Sequence, residues 1–503
     1  MHITGSAIFA ALAIMTAALG CTPDPPKSPF PFSVVFITVD TLRSDRLGAY
    51  GYELGSTPRI DQFAAEGALF ENVYCDVPWT TASMASMMTS LFSAEHGVQV
   101  PWVKLPENQL TVAEIFQNYG YETGAVVGIF SLDSVYGLDQ GFDFYDDDFS
   151  LPAMIHPDIP SGGRIDLKVT DDLQEYARLA GAKLYNDAYK KDADLTDDAL
   201  AWLKKNAGNP FFLWVHYFGP HERLIFGGEE YNRDRIVAVY DSEVTETDTE
   251  IGRLLGGIDE LGLRENTLVV LSSDHGQTLG ERGEVGHGGD VFEPEVRIPL
   301  IVRLPSRIDA GMRISQVVRS VDFAPTFLDY AGIAAPDGFA GLSVRDLIEN
   351  VETTERPALM DLHVVMPGVI EGEDGQRFMG GVHYQGLRLG NWKLVKASMA
   401  PPCYGGDGEL IWDIVGLDVT GIKDATQLTE DQCAEIGYTR LFDVSQTSSA
   451  LAMEDEDVAS LHPDLVASMA AVLDTLVSRK GEAESFDLTP EQERKLKSLG
   501  YLE

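Results

Sequence analysis

The sequence predicts an α/β protein: a mostly parallel central sheet sandwiched by helices, followed by a smaller C-terminal α+β subdomain. Three observations carry this. Apolar β-branched runs alternate with helical patterns up to about residue 350, the order that a parallel sheet with helical crossovers requires. Two of the runs, Val34–Val39 and Leu268–Leu271, are almost wholly apolar, as in strands buried on both faces. Beyond about residue 380 the pattern changes to a hairpin, a short strand and two helical stretches.

Taken in order, residues 1–21 read as an export signal. Ala7 to Leu19 is apolar but too short to span a bilayer. Ala18-Leu19-Gly20-Cys21 resembles the bacterial lipoprotein cleavage box, although His2 replaces the usual Lys or Arg ahead of it. The expectation is an exported protein of the cell envelope or periplasm, with Cys21 lipidated as its one tie to a membrane. Residues 22–32 hold five prolines and read as a tether. A first domain is expected over 33–380 and a second over 381–503.

Charge narrows the partners. With 37 Lys and Arg against 79 Asp and Glu, the net charge is -42. Such a surface repels phosphate backbones and excludes a nucleic-acid binder. An anionic substrate would need a locally positive site, which a bound metal supplies. Of the other cysteines, Cys75 lies near the site described next. Cys403 and Cys433 stand 30 apart in a loop-rich region, and export permits a bond between them.

The first strand ends in Asp40 and the strand from Leu268 ends in Asp274-His275-Gly276. Ligands gather off the carboxyl ends of strands in open α/β sheets, so Asp40, Asp274 and His275 are expected to converge. Helix capping by each acid is the alternative. After a helix from Thr57-Pro58 and a strand Leu69–Tyr74 comes Trp79-Thr80-Thr81-Ala82-Ser83, at the start of an apolar helix. Free N–H groups there favour an anion and suit a hydroxyl nucleophile; plain N-capping is the competing reading. A helix Leu110–Tyr119, a strand Glu122–Ile129 and a helix Asp194–Lys205 lead to strand Phe211–Val215, which opens onto His216 and His221 around Gly219-Pro220. A long helix Arg235–Leu261, Gly286-His287-Gly288, strand Ile298–Arg303 and a strand and helix over Val317–Ala331 complete the first domain. In the second, Gly386–Val395 reads as a hairpin, Arg440–Asp443 as a strand, and Pro463–Arg479 and Thr489–Leu499 as helices.

These segments, in this order, resemble the sulfatase family of the alkaline phosphatase superfamily. Carrying the resemblance are Val39 to Asp45, Thr57 to Asp61, Trp79 to Ser83, His216 to His221, Ser273 to Gly276 with Gly286 to Gly288, Asp322 to Thr326, and Leu499 to Leu502. It implies an alkaline phosphatase-like sheet carrying a divalent metal on Asp40, Asp274, His275 and the Thr80 hydroxyl. It implies Thr80 as nucleophile, His221 and His287 as catalytic histidines, and His216 and Ser83 at the substrate. The substrate expected is a small-molecule or glycan sulfate or phosphate ester. Calcium follows family habit; the imidazole favours zinc or manganese. The chain departs from the family pattern Cys-x-Pro-Ser-Arg: Thr80 stands at the cysteine, Ala82 at the proline and Met84 at the arginine, so formylglycine is not expected. Thr41 replaces a second acid, and the family's Lys-x-His pair is missing from residues 125–135. Two other readings remain beside hydrolysis: an envelope phosphoglycerol or phosphoethanolamine transferase, and a non-catalytic binding protein on the same scaffold.

Overall fold

The computed structural model describes residues 32–100, 103–149, 151–152, 188–221, 233–283, 285–349, 356–371, 377–400, 437–445 and 456–478. The expectations for Cys21, the tether, Cys403, Cys433 and the helix Thr489–Leu499 lie outside them.

Among the described residues the strands, in chain order, are β1 Ser33–Val39, β2 Ala68–Tyr74, β3 Glu122–Val127, β4 Phe144–Asp146, β5 Leu151–Pro152, β6 Ala188–Tyr189, β7 Phe211–Tyr217, β8 Thr267–Ser273, β9 Thr278–Leu279, β10 Val285–Gly286, β11 Arg297–Arg303, β12 Met312–Arg319, β13 Ala358–Glu371, β14 Arg377–Leu389, β15 Trp392–Ala400 and β16 Gly437–Asp443. The first two helices are α1 Pro58–Ala65 and α2 Thr80–Thr89, the second of which carries Thr80. The main sheet has the order β12-β2-β11-β8-β1-β7-β3-β4. Every pairing is parallel except those of β11, which runs against both β2 and β8. The expected mostly parallel sheet is what the chain forms.

Alternation along β1 explains why its run is unbroken. Val34 and Phe36 join one apolar cluster, Val35, Ile37 and Val39 the other, so the strand feeds the core on both faces of the sheet. Each such side chain contributes roughly 1.5–3 kcal/mol by leaving water. The helices Asp192–Asn206 and Arg233–Glu260 cover one face; α2 and Phe323–Tyr330 cover the other.

The second sheet, β13-β14-β15-β16, is antiparallel throughout. Its hairpin β14–β15 closes on Gly390-Asn391, with Leu389 paired to Trp392 and Gly390 at φ 55°, the left-handed value that a two-residue turn needs. One face packs on the main core through Met360, Leu362, Val382 and Val395. The other receives the helix Pro463–Ser478 through Leu465, Met469 and Leu473. Because β13 begins at Ala358, this sheet takes in residues that the sequence reading assigned to the first domain.

A buried polar network follows β2. Asp76 Oδ2 accepts from Ser86 Oγ at 2.9 Å and from the Ser93 N–H at 2.8 Å. His96 Nδ1 accepts from the Val98 N–H, so Nε2 carries the proton and donates to Ser86 Oγ at 2.9 Å. Burial pushes the Asp76 carboxyl from 3.8 up to about 7. Between those values the native state holds a proton that the unfolded chain has lost, so this group makes stability fall as pH rises, by at most roughly 1.4 kcal/mol per unit. Asp76→Asn keeps the acceptor and removes the titration. Urea unfolding should therefore show the variant gaining on wild type between pH 5 and pH 8; a constant difference would refute this reading.

Candidate active site

Asp40 and Asp274 follow the paired ends of adjacent parallel strands, where Val39 lies opposite Ser273. Both are buried. Thr38 is two residues before Asp40, on the same face of β1, and pairs in register with His216 on β7. The pleat thus brings His216 beside Asp40, with His216 Nε2 3.7 Å from Asp40 Oδ2. His216 Nδ1 is 2.8 Å from Thr38 Oγ1, which also accepts from Trp214 Nε1 at 2.9 Å. Ligand atoms of Asp40, His216 and Asp274 all lie within 4.8 Å of one another.

Thr41 adopts φ 57°, uncommon for a β-branched residue. The turn is held by its own N–H donating to Asp274 Oδ1 at 3.1 Å and by Tyr240 Oη donating to its carbonyl at 2.8 Å. Position 41 thus contributes a backbone donor to the acid that follows β8.

Helix α2 starts without a side-chain cap from Trp79. Its hydroxyls also serve elsewhere: Thr81 Oγ1 donates to Ser131 O at 2.7 Å, Ser83 Oγ to Asp274 O at 2.6 Å, and Thr80 Oγ1 lies 3.3 Å from His275 Nε2. N-capping therefore does not explain the hydroxyl cluster. His275 Nδ1 is 2.8 Å from the Gly276 carbonyl, an acceptor only, so the proton is on Nδ1 and Nε2 accepts from Thr80. The same Nε2 lies 3.4 Å from Asp274 Oδ2.

His287 follows the same logic. Its Nδ1 donates to Pro78 O at 3.1 Å, leaving Nε2 to face His221 Nε2 at 3.1 Å, which then carries the proton. The His275 and His287 rings lie 4.2 Å apart. Burial lowers His275 to about 3 and His216 to about 4, and with the neighbouring imidazoles it holds His287 well below the ordinary range, so these three are neutral. Burial first, then the facing Asp274, raises Asp40 well above the usual carboxylate range; Asp274 is raised chiefly by burial.

A divalent cation fits this arrangement. Asp40 Oδ1, Asp274 Oδ2 and His216 Nε2 are buried with no hydrogen-bond partner, and such groups are costly unless a ligand satisfies them. Two carboxylates and an imidazole match a divalent ion in charge and donor type.

The sequence reading gave His216 to the substrate and His275 to the metal. The geometry groups His216 with the two acids and turns His275 toward Thr80 and one oxygen of Asp274. The buried Ser83 hydroxyl donates to Asp274 O and so ties α2 to the strand end that carries Asp274. Thr80 is connected to His221 through His275 and His287.

The family model described as Sulfatase matches residues 33–333. The chain belongs to the sulfatase family. It is 29% identical over 353 residues to an arylsulfatase of Hemicentrotus pulcherrimus, covering 63% of this chain and 61% of that one. It is 28% identical over 360 residues to an ulvan-active sulfatase of Formosa agariphila, covering 67% and 68%. The match thus spans about three fifths to two thirds of these sulfatases. A protein solved with its substrate, D-glucosamine-2-N,6-O-disulfate, superimposes with a TM-score of 0.61 at 19% identity, over 89% of this chain and 98% of that one.

Proposed function

We propose that this sulfatase-family chain is a metal-dependent hydrolase of singly charged tetrahedral esters, with a sulfate ester of a sugar as substrate and Thr80 as nucleophile. The observation that carries the reading is the Thr80 hydroxyl, 3.3 Å from an accepting imidazole nitrogen at an uncapped helix start, beside two buried acids. The named activities of the two curated relatives support sulfate, and the disulfated glucosamine bound by the structural neighbour supports a sugar. Charge supports a monoanion. Two carboxylates cancel a divalent ion, and the surrounding histidines His216, His275 and His287 are neutral, which leaves little to offset a dianionic phosphate monoester.

Asp40, Asp274 and His216 would hold the cation, with His275 Nε2 and Thr80 Oγ1 next to it. When bound, it supplies Lewis-acid polarisation of the ester oxygens and lowers the pKa of a hydroxyl nearby. His275 Nε2 takes the Thr80 proton as Oγ1 attacks sulfur. The bond from sulfur to the leaving oxygen breaks, and His221, acting as the imidazolium, gives its Nε2 proton to that oxygen. The N–H groups at the start of α2 face the developing charge. In the second half, water attacks the threonine sulfate in line and gives a proton to His221, now the neutral imidazole, which restores the imidazolium, and the proton on His275 returns to Thr80 Oγ1.

One observation favours a second reading, a phosphate diester or phosphonate monoester. Threonine lacks the hydrated-aldehyde route that formylglycine uses to expel sulfate, whereas in-line water releases a phosphoryl group from an alkoxide directly. The experiment is a panel: full chain stripped with EDTA, reloaded separately with zinc, manganese or calcium, then assayed on aryl sulfate, sulfated disaccharides, phosphate diester, phosphonate monoester and phosphate monoester. Metal-dependent sulfate release, at least about tenfold faster than phosphate monoester cleavage, is expected. Diester turnover without sulfate release would select the second reading, and full activity after chelation would overturn both.

A further inference from the structure

Among the described residues a second set of metal-type ligands lies in the antiparallel sheet: Asp361, His363 and His383. The two-residue period of β13 puts Asp361 and His363 on one face. Register sets His363 directly across from His383 on β14, so all three share that face. The two imidazoles stack, with centroids 4.1 Å apart and planes 11° from parallel. His383 Nε2 hydrogen-bonds Asp361 Oδ1. One ligand atom from each of the three lies within 4.8 Å of the other two. Asp361 is buried and the histidines are half-buried, so the cluster has a dry side and a wet side.

We infer that Asp361, His363 and His383 bind a divalent transition metal of the zinc class, independently of the active-site cation. Two imidazoles and one carboxylate select zinc or cobalt over calcium and magnesium, which prefer all-oxygen sets. Three protein ligands with a wet side leave the fourth tetrahedral position to water. The ladder fixes the spacing of the two histidines before any ion arrives. Metal entry replaces the hydrogen bond between His383 and Asp361, and His383 binds as the neutral imidazole with its proton on the ring nitrogen that does not ligate. The Asp361 N–H donates to Asp76 O at 2.8 Å, and Asp76 precedes Thr80 by four residues. The ion therefore pins the second sheet to the segment that leads into α2. Its role is to stiffen that joint; it takes no part in the chemistry at Thr80.

The test titrates the chelator-stripped full chain with Co2+ alone, read by visible absorption and by elemental analysis after gel filtration. Wild type is expected to bind one equivalent more than His363→Ala or His383→Gln. Asp274→Asn, which disables the other cluster, is expected to keep that equivalent and its absorption band. Circular dichroism confirms folding of each variant, and His383→Gln retains a donor for Asp361 should the alanine variant fail. Equal Co2+ uptake and spectra in wild type and both histidine variants would overturn the proposal, as would a folded Asp274→Asn protein that binds no Co2+. The two clusters are read separately, so this result stands apart from the outcome of the substrate panel.

Discussion

Thr80→Ala is expected to lower turnover by on the order of 10^3-fold or more on every ester the wild type cleaves, with the melting temperature little changed. The hydroxyl faces His275 Nε2 and caps nothing, so its loss removes the attacking atom without undoing the helix. Thr80→Ser keeps the hydroxyl but loses the β-branch that restricts χ1, and should stay within roughly tenfold of wild type. Cys75→Ala should leave activity intact: the thiol is buried, and burial pushes its pKa well up, which makes it a poor nucleophile. Steady-state kinetics with thermal melts decide the matter. Wild-type rates in Thr80→Ala, or abolished rates in Cys75→Ala, would end the assignment of the nucleophile.

The largest effect on stability is expected from Lys393→Ala. Lys393 Nζ lies 3.0 Å from Glu293 Oε1, and both side chains are fully buried. Tyr74 Oη donates to Glu293 Oε2 at 3.1 Å and accepts from Arg388 Nε at 3.0 Å. Burial alone would raise the Glu293 carboxyl; Lys393, Arg297 and Arg388 overcome that and hold it below the ordinary range. Removing the ammonium strands a carboxylate in the core, at a cost of about 3–5 kcal/mol. Lys393→Met with Glu293→Gln removes both charges and should recover much of the loss. Because the Glu293 pKa is depressed, the pair's contribution is present above the unfolded pKa and fades as pH falls through the folded one. Urea unfolding at neutral pH measures it. A loss below about 1 kcal/mol in the single variant would mean that water reaches the pair.

Much of this molecule could be read from the chain alone, and the physics explains where reading stopped. β1 and β8 were legible because strands covered on both faces must be continuously apolar, and the acids at their ends broke that rule. The direction of β11 was not legible: a buried run such as Ile298–Arg303 has the same composition whichever way it points. Placing His216 required the register of β7 against β1, which no local pattern encodes, although the two-residue step from Thr38 to Asp40 was a usable clue. Ser83 lies one helical turn from Thr80, so both side chains face the end of β8. Sequence alone cannot tell which of two such neighbours meets a carbonyl and which meets an imidazole. The network of Asp76, Ser86 and His96 carried no local signal, because tertiary packing alone brings its members together.

The loop after His287 has a mechanical consequence. Gly288 has φ 75°, and a methyl group there would come within 2.3 Å of the Trp79 ring. The indole lies edge-on to His287, whose Nδ1 proton sits on Pro78 O. The segment that carries the attacking group and the histidine that holds His221 are thus linked through a single tryptophan. Retuning this protein for a bulkier alcohol would have to come from walls away from that link, because any side chain at Gly288 would press on the tryptophan that makes it.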